Sequence, residues 1–307
     1  MSRIHEALKK AQMERGGTTR VEDAPLPPMR HAVETPVEPG APRHSAWQES
    51  RHSGPIPLDV LDQHCKRPTW TPEAKIATLM TASSSGMGTE ELRTLRSRLY
   101  QIRDRQQPNL RKILVTSALP GDGKTFLTAS LGLMMARQHG RKVLLVDADL
   151  RRPQLHATLG APAAPGLTDY LSGEIDALEI VQHGVGSDLY FIPAGKTVSN
   201  PPELLTNGLF GELLERLAFN FDWVILDSPP AVPLHDASVL ADICDGVLMV
   251  VRAANTPFDV AQKARGELQE KNVLGVILNQ VDGSNGNHAY YYYDYYTNDP
   301  TEPQAKK

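Results

Sequence analysis

One thirteen-residue segment constrains the fold of this chain more than any other. Residues 113–125 read ILVTSALPGDGKT, which is an apolar run, a glycine-containing loop and the start of a further apolar segment. Glycines at 121 and 123 would let backbone N–H groups approach an anion, and a helix beginning at Lys124 would add the positive end of its dipole. The segment therefore predicts a strand, a phosphate-binding loop and a helix, in that order.

The loop departs from the usual phosphate-loop pattern at one position. The consensus G-x4-G-K-[ST] would place glycine at 118, where this chain has Ala118. In that pattern the Lys124 ammonium contacts the outer phosphates and the Thr125 hydroxyl binds Mg²⁺. A helix-capping turn that happens to contain Gly-Lys is the alternative, and the strand before it and the helix after it count against that alternative. The predicted phosphate-binding residues are Gly121, Asp122, Gly123, Lys124, Thr125 and Phe126.

Carboxylates follow two further apolar runs. Asp147 and Asp149 come after residues 143–146, and Asp227 comes after residues 223–226. In a parallel sheet the carboxyl ends of the strands gather at the edge that carries the phosphate loop. A single aspartate in such a place is more often a helix cap than a ligand, but Mg²⁺ takes one or two carboxylates beside phosphate oxygens and water. We predict Thr125, Asp147 and Asp227 as metal ligands.

The apolar runs also predict the fold class. Near-continuous apolar strands that alternate with amphipathic helices indicate a parallel sheet covered on both faces, and right-handed crossovers make it doubly wound. We therefore expect an α/β fold of the P-loop NTPase type. The predicted strands are Ile113–Thr116, Val143–Val146, Leu189–Ile192, Trp223–Leu226, Gly246–Val251 and Gly275–Leu278.

The chain divides into four predicted parts. Residues 1–16 form a basic amphipathic helix that either docks on a partner or membrane surface or frays as a free terminus. Residues 17–88 form a disordered linker, because ten of the 24 prolines fall within residues 17–72 among few large apolar residues. Residues 89–282 form the domain, which opens with a helix capped by Thr89. Residues 283–307 form a flexible tail rich in tyrosine.

Charge and cysteine content exclude several classes of protein. The net charge of −4 argues against a nucleic-acid-binding protein, which usually carries a basic excess. Two cysteines far apart exclude a disulfide framework and a zinc or iron–sulfur site built from cysteines within one chain. No apolar run reaches the roughly 18 residues of a membrane helix, and residues 1–10 lack a signal-peptide core, so we expect a cytoplasmic protein.

Three sequence motifs resemble those of a known family. ILVTSALPGDGKT, VLLVDADLRRP (residues 143–153) and VILDSPP (residues 224–230) are similar to the bacterial tyrosine kinases of capsule and exopolysaccharide synthesis. That family shares its fold with the Min and Par ATPases, and its loop reads TSxxPGEGK[ST], with glutamate where this chain has Asp122. Nothing resembles a eukaryotic-type kinase, which would show a GxGxxG loop, HRD and DFG.

The resemblance implies roles for individual residues. Lys124, Asp147, Asp149 and Asp227 correspond to the catalytic set, with ATP and Mg²⁺ as cofactors. Asp147 is the residue that we expect to face the tyrosine hydroxyl. Asn279, which follows the last predicted strand, stands where related ATPases contact adenine, although a turn asparagine fits equally well.

A helix before the first strand adds a predicted interface. Glu90, Arg93 and Arg96 fit the spacing E-x2-R-x2-R, which resembles the oligomerisation motif of this family. The three positions lie within one stripe of the helix beside its leucines. A solvated face with an i,i+3 ion pair is the alternative and is the better interpretation without the resemblance.

The tail supplies the predicted phosphate acceptor. Six tyrosines stand within seven residues, after a polar tether of eight: Tyr290, Tyr291, Tyr292, Tyr293, Tyr295 and Tyr296. A sticky low-complexity tail is the alternative. By the resemblance, transfer goes to the tail of a neighbouring subunit in a ring. The implied partners are a separate membrane-spanning activator, which would hold the chain at the inner face of the plasma membrane, and a phosphotyrosine phosphatase.

Two other functions remain open from sequence. A Min- or Par-type ATPase switch has the same fold, but its signature lysine would stand at position 119, where this chain has Leu119, and it lacks a tyrosine-rich tail. A non-catalytic module, in which ATP only sets the assembly state, is the third possibility.

Overall fold

Seven strands form one sheet at the centre of the computed structural model, which describes residues 54–80, 88–184 and 188–281. Their order across the sheet is β3-β4-β2-β5-β1-β6-β7. All neighbouring pairs are parallel except β3 and β4, which are antiparallel. The strands are β1 (Lys112–Ser117), β2 (Val143–Asp147), β3 (Gln182–His183), β4 (Leu189–Ile192), β5 (Trp223–Asp227), β6 (Gly246–Arg252) and β7 (Val273–Asn279).

Helices connect the strands and cover both faces of the sheet, except at the edge strand β7, where Val276 and Leu278 are exposed. In chain order they are α1 (Leu58–His64), α2 (Ala74–Met80), α3 (Thr89–Arg105), α4 (Lys124–Ala136), α5 (Leu155–Leu159), α6 (Leu167–Leu171), α7 (Pro201–Thr206), α8 (Leu209–Ala218), α9 (Asp236–Asp242) and α10 (Phe258–Glu267). Alternate residues of each strand face opposite sides: Leu114 and Val224 join one buried cluster, while Ile113 and Trp223 join the other. The doubly wound α/β fold expected from the sequence is confirmed.

The six predicted strands are present, each within two residues of its predicted ends at both sides. Strand β3 was not predicted, because two residues are too few to show a periodic pattern. It lies at the sheet edge, where Gln182 pairs with Phe191 and His183 with Tyr190.

The predicted linker of residues 17–88 is wrong over residues 54–80. This stretch contains α1 and α2, and Ile56, Leu61 and Ile76 are buried in the two cores. Backbone bonds fix it further, from the Lys66 amide to the Val181 carbonyl (3.0 Å) and from the Thr71 amide to the Gly160 carbonyl (3.1 Å). A few well-spaced apolar residues therefore suffice to order it. The rest of the predicted linker, residues 17–53 and 81–87, lies outside the described residues.

The first residue of α3 also differs from the prediction. Gly88, not Thr89, is the N-cap, with φ of 94°, and the Gly88 amide donates to the Glu91 carboxylate at 2.9 Å. Thr89 is the first helical residue and is buried. Leu92 and Leu99 bury the predicted apolar face of this helix.

The parallel strands bring their carboxyl ends to one edge of the sheet. Asp147 of β2 pairs in register with Asp227 of β5, and Asp227 pairs with Val115 of β1. Strand β7 runs parallel to β6 and ends at this same edge with Asn279. In the described part of the chain no helix combines the length and the apolar character needed to cross a membrane. The predicted N-terminal helix and the tyrosine tail lie outside the described residues.

Candidate active site at the phosphate loop

The loop between β1 and α4 has the backbone geometry that its sequence requires. Gly121 and Gly123 have φ of 87° and 98°, a left-handed conformation that residues with a Cβ rarely adopt. Gly123 is the N-cap of α4, and Lys124 is its first residue. A Cβ at Gly123 would also collide with the side-chain amide of Asn279. Ala118 is fully buried at the position of the first consensus glycine.

The loop is braced from inside by residues of three different segments. The fully buried Asp122 carboxylate accepts a hydrogen bond from the Leu119 amide (2.8 Å) and another from the Thr256 hydroxyl (2.7 Å). The Asn279 side chain donates to the Asp122 carbonyl at 2.8 Å. Asp122, predicted as a phosphate-binding residue, thus has its carboxylate directed into the loop. Its side chain positions the backbone amides that would meet phosphate.

Lys124 meets two of the predicted carboxylates. Its Nζ lies 2.9 Å from Oδ2 of Asp149 and 3.5 Å from Oδ2 of Asp227. Burial lowers the pKa of Lys124, but the Asp227 and Asp149 carboxylates raise it by more, so the net shift is upward. Lys124 is therefore a fully charged ammonium that neutralises part of the acidic cluster.

Asp227 and Thr125 form the deepest part of the site. The Thr125 hydroxyl donates to Oδ2 of Asp227 at 2.6 Å, and Asp227 is fully buried. Burial raises the pKa of Asp227 to about 6, against the opposing effect of Lys124. Within the described part of the chain, Oδ1 of Asp227 has no hydrogen-bond partner. A buried carboxylate oxygen without a partner, beside a hydroxyl and two further carboxylates, is an oxygen donor set that fits Mg²⁺.

Asp147 is more enclosed than the sequence prediction assumed. Its two carboxylate oxygens accept from the Leu155 amide (3.1 Å) and the Asp149 amide (3.3 Å), and the residue is fully buried. Its pKa is raised well above the usual range by burial and by the neighbouring Asp227 carboxylate. Asp149, not Asp147, is the aspartate that lines the cavity beside Lys124.

A cavity of about 520 Å³ opens above the loop. One wall is apolar and consists of residues that follow β5. The lining also includes Arg151, whose guanidinium bonds the Asp236 carboxylate at 2.5 Å. This ion pair connects the segment after Asp149 to α9. The lining residues are Pro120, Gly121, Gly123, Lys124, Thr125, Asp149, Arg151, Arg152, Gln154, Thr158, Pro229, Pro230, Val232, Pro233 and Leu234.

The other predicted residues fall into two groups. The Phe126 side chain is about one-third exposed and does not line the cavity. On α3, Arg93 pairs with Glu90 on the exposed face. Arg96 instead donates to the Met134 carbonyl of α4 at 3.3 Å, so part of the predicted interface motif is bonded within the chain. The six tail tyrosines lie outside the described residues.

Sequence reasoning missed Thr256 and the Arg151–Asp236 pair. Thr256 lies 134 residues after Asp122, and no spacing rule relates positions so far apart. A threonine just after β6, at the same sheet edge, was the only available signal.

Comparisons with known proteins identify similar sequences and similar folds. The domain family described as "AAA domain" matches residues 110–259. Over 177 residues the chain is 37% identical to "Tyrosine-protein kinase CpsD" of Streptococcus agalactiae serotype III (strain NEM316), a match that spans 56% of this chain and 76% of the relative.

Two solved structures extend the comparison to the fold. The kinase domain of the Escherichia coli tyrosine kinase ETK is 29% identical, with a TM-score of 0.62 over 74% of this chain and 88% of the other. The septum site-determining protein MinD from Pyrococcus horikoshii OT3, complexed with Mg-ADP, is 25% identical, with a TM-score of 0.50 over 57% and 72%. A similar fold thus occurs in a tyrosine kinase domain and in a septum site-determining protein.

Proposed function

Because the chain belongs to the family of bacterial tyrosine-protein kinases, we propose that it transfers phosphate from Mg·ATP to its own C-terminal tyrosines. The observation that carries this proposal is the position of Asn279. This last residue of β7 bonds the carbonyl of Asp122 inside the phosphate loop, so the chain that leads to the tail departs beside the loop. The eight-residue tether after Val281 reaches about 26–29 Å when extended.

The described residues support separate roles for different groups in this reaction. Phosphoryl transfer depends mainly on positioning and on neutralising charge. The amides of the Gly121–Lys124 turn and the Lys124 ammonium would hold the outer phosphates, and Thr125 and Asp227 would hold Mg²⁺. When bound, Mg²⁺ would neutralise charge on the phosphates. The wall formed by Pro229, Pro230 and Pro233 offers apolar surface for an aromatic ring.

A carboxylate must also accept the proton of the attacking hydroxyl. We propose Asp147, because its raised pKa makes it a better base than an ordinary aspartate near neutral pH. The Asp149 and Leu155 amides bond its two oxygens, so this role requires at least one of these bonds to break when nucleotide binds. Asp149, which already lines the cavity, is the alternative base.

We propose that transfer occurs in trans, between copies of the chain in an assembly. Glu90 and Arg93 lie on the exposed face of α3, available to a neighbouring copy. Each phosphate adds about −1.5 to −2 charges, so six would add roughly −9 to −12, against a net charge of −4 for the chain. Repulsion of this size, repeated around a ring, would separate the subunits.

The proposed setting is the control of exopolysaccharide or capsule synthesis. A separate membrane protein would activate the chain and hold it at the inner face of the plasma membrane, and a phosphotyrosine phosphatase would reset it. Residues 1–16 and the segment after them are the part of the chain that we assign to this docking.

A Min-type ATPase switch is the second candidate, favoured by the shared fold. The two functions differ in where phosphate goes, so ADP and phosphotyrosine should be measured together, with the activator's cytoplasmic segment present. A kinase predicts about one phosphotyrosine per ADP and little ADP when all six tail tyrosines are Phe. A switch predicts the same ADP with either tail, and this outcome would overturn the proposal.

A further inference from the structure

Three side chains of different chemistry meet at the β3 edge of the sheet. Asp62 lies in α1, Cys65 is the C-cap of α1 and His183 lies in β3. The carboxylate, thiol and imidazole ligand atoms all lie within 4.8 Å of one another, and Oδ1 of Asp62 is 3.9 Å from Nδ1 of His183. None of the three lines the phosphate-loop cavity, so the cluster is a separate feature of the molecule.

The spacing of these atoms is close to that of a tetrahedral metal site. Zn²⁺ binds cysteine sulfur at about 2.3 Å and histidine nitrogen or carboxylate oxygen at about 2.0–2.2 Å, so tetrahedral ligand atoms stand roughly 3.3–3.8 Å apart. The observed spacing needs only a small inward movement of the side chains. Cys65 is buried and His183 is partly buried, while the Asp62 side chain is about one-third exposed and leaves a path for an ion.

A supporting shell holds two of the three ligands in place. The Tyr190 hydroxyl donates to Oδ1 of Asp62 at 2.6 Å. The Tyr190 ring stacks on the His183 ring at 4.1 Å, with 3° between the planes, and the two residues pair across β3 and β4. Hydrogen bonds and packing that orient the first ligands are typical of metal sites and strengthen them.

We propose that Asp62, Cys65 and His183 form a binding site for a borderline transition-metal ion of the Zn²⁺ class, with a fourth position open to water. One sulfur, one nitrogen and one oxygen donor suit Zn²⁺, whereas Mg²⁺ and Ca²⁺ take oxygen ligands. The cysteine count of the sequence excluded only a site built from cysteines. The proposed site contains one cysteine, and its other ligands are the Asp62 carboxylate and the imidazole of His183, which lies 118 residues after Cys65 in the chain.

Two features of the cluster oppose the metal. The Arg67 guanidinium lies 3.6 Å from Oδ1 of Asp62 and competes for the carboxylate. Burial raises the pKa of the Cys65 thiol, so the ion must displace a proton, which passes to solvent as the thiolate–metal bond forms. Binding at this site therefore releases a proton and strengthens as pH rises.

The metal would join residues 54–80 to the edge of the sheet. The Lys66 amide bonds the Val181 carbonyl (3.0 Å) and the His183 amide bonds the Lys66 carbonyl (2.8 Å). A metal between α1 and β3 adds a side-chain connection across the same junction. It would resist detachment of the segment that connects residues 1–53 to the sheet.

Cobalt titration of the full chain tests the site, because Co²⁺ bound to a thiolate gives a charge-transfer absorption that oxygen ligands do not give. The protein is stripped with chelator and then held in excess Mg²⁺, which occupies the phosphate-loop carboxylates. We expect one equivalent of Co²⁺ to produce the band. We expect Cys65→Ser to abolish it and Cys244→Ser, at the other, partly buried cysteine, to keep it.

A second variant and a second readout keep the test independent of folding defects. Asp62→Asn preserves a partner for Tyr190 and should weaken Co²⁺ binding by at least about tenfold, with Mg·ATP affinity unchanged. Zn²⁺ at 100 times its Kd should raise the Tm of the unaltered protein by roughly 5–10 °C and slow tryptic cleavage at the Lys66–Arg67 bond, and Asp62→Asn should lose both effects. Absence of the thiolate band, or its survival in Cys65→Ser, would overturn the proposal.

Discussion

At the scale of one residue, Asp227 is an example of a buried charge that lowers the stability of the folded protein. Its carboxylate is fully buried beside that of Asp147, its pKa is raised to about 6 by burial, and it shares the Lys124 ammonium with Asp149. Burying several like charges is unfavourable unless each is paired. We infer that this region is strained without nucleotide and metal.

Replacing Asp227 should therefore stabilise the nucleotide-free protein. Asp227→Asn keeps an acceptor for the Thr125 hydroxyl and removes one buried negative charge, so we expect a gain of about 1–3 kcal/mol and a Tm higher by several degrees, with phosphotransfer lost. Thermal unfolding in the presence of a chelator measures the effect. Lys124→Met is the matched opposite, because it leaves the aspartates without a cation and should lower the Tm. A lower Tm in Asp227→Asn would contradict the account.

Thr256 provides a test of loop bracing that does not touch the phosphate site directly. Thr256→Val replaces with a methyl group the hydroxyl that donates to the buried Asp122 carboxylate at 2.7 Å and accepts from the Arg252 amide at 3.0 Å. An unpaired buried acceptor costs about 1–3 kcal/mol, so ATP affinity should fall about tenfold while the fold persists. Calorimetric titration of nucleotide measures this, and Thr256→Ser, which keeps the hydroxyl, is the control. Equal affinities in both variants would exclude the bracing role.

Which residues belong to the site could be predicted from sequence, but the hydrogen bonds between distant segments of the chain could not. Lys124, Asp149 and Asp227 were predicted together because strand ends converge in a parallel sheet, and the structure brings them within hydrogen-bond or ion-pair distance. Asp122 was assigned to phosphate because it stands in the loop. Its bond to Thr256 and the bond of Asn279 to its carbonyl depend on β6 and β7 lying beside the loop, which no local pattern encodes.

At the scale of elements, α1 behaves as part of the domain and not as linker. Leu61 is fully buried in the core cluster that includes Leu144 and Val224. Leu61→Ala should therefore lower the free energy of unfolding by about 2–4 kcal/mol, as measured by urea denaturation. Gln63→Ala, at an exposed position of the same helix, should change it by less than about 0.5 kcal/mol. A change in the free energy of unfolding for Leu61→Ala as small as that for Gln63→Ala would show that α1 is part of the linker and not of the domain.

Helix α3 gives the prediction for assembly. Arg93 and Glu90 form an exposed ion pair, which contributes little to the fold of one chain, so their side chains are available to a neighbour. Arg93→Ala combined with Arg96→Ala should leave a monomer in light scattering. Arg93→Ala alone should weaken the oligomer without lowering the Tm, because only Arg96 bonds the Met134 carbonyl of α4. An unchanged oligomer in the double variant would refute the interface.

Composition explains which elements could be predicted. The six longer strands are near-continuous apolar runs, and five of them are buried between helices on both faces of the sheet. Strand β7, at the edge, leaves Val276 and Leu278 exposed. Residues 54–80 were misjudged because their prolines dominate an average over the surrounding segment, while the four buried side chains that order them are widely spaced. They are Ile56, Leu61, Cys65 and Ile76. Two-residue β3 has no pattern of its own and exists because Lys66 and β4 lie on either side of it.

At the scale of the whole molecule, we propose that ATP bound at the phosphate loop of one chain phosphorylates the tyrosine cluster of another copy of the same chain. The loop, the end of β7 and the acidic strand ends share one edge of the sheet, and the tether to residues 290–296 begins there. The exposed face of α3 offers a surface for a second copy. Donor site and acceptor tail are thus expected to belong to different subunits.

A mixing experiment tests this claim most directly. An active chain whose six tail tyrosines are Phe is combined with a Lys124→Met chain whose tail is intact, in the presence of Mg·ATP and the activator's cytoplasmic segment, and phosphorylation is mapped by mass spectrometry. We predict phosphate on residues 290–296 of the Lys124→Met chain and none when that chain is incubated alone. An unmodified tail in the mixture, while ATP is hydrolysed, would contradict the account.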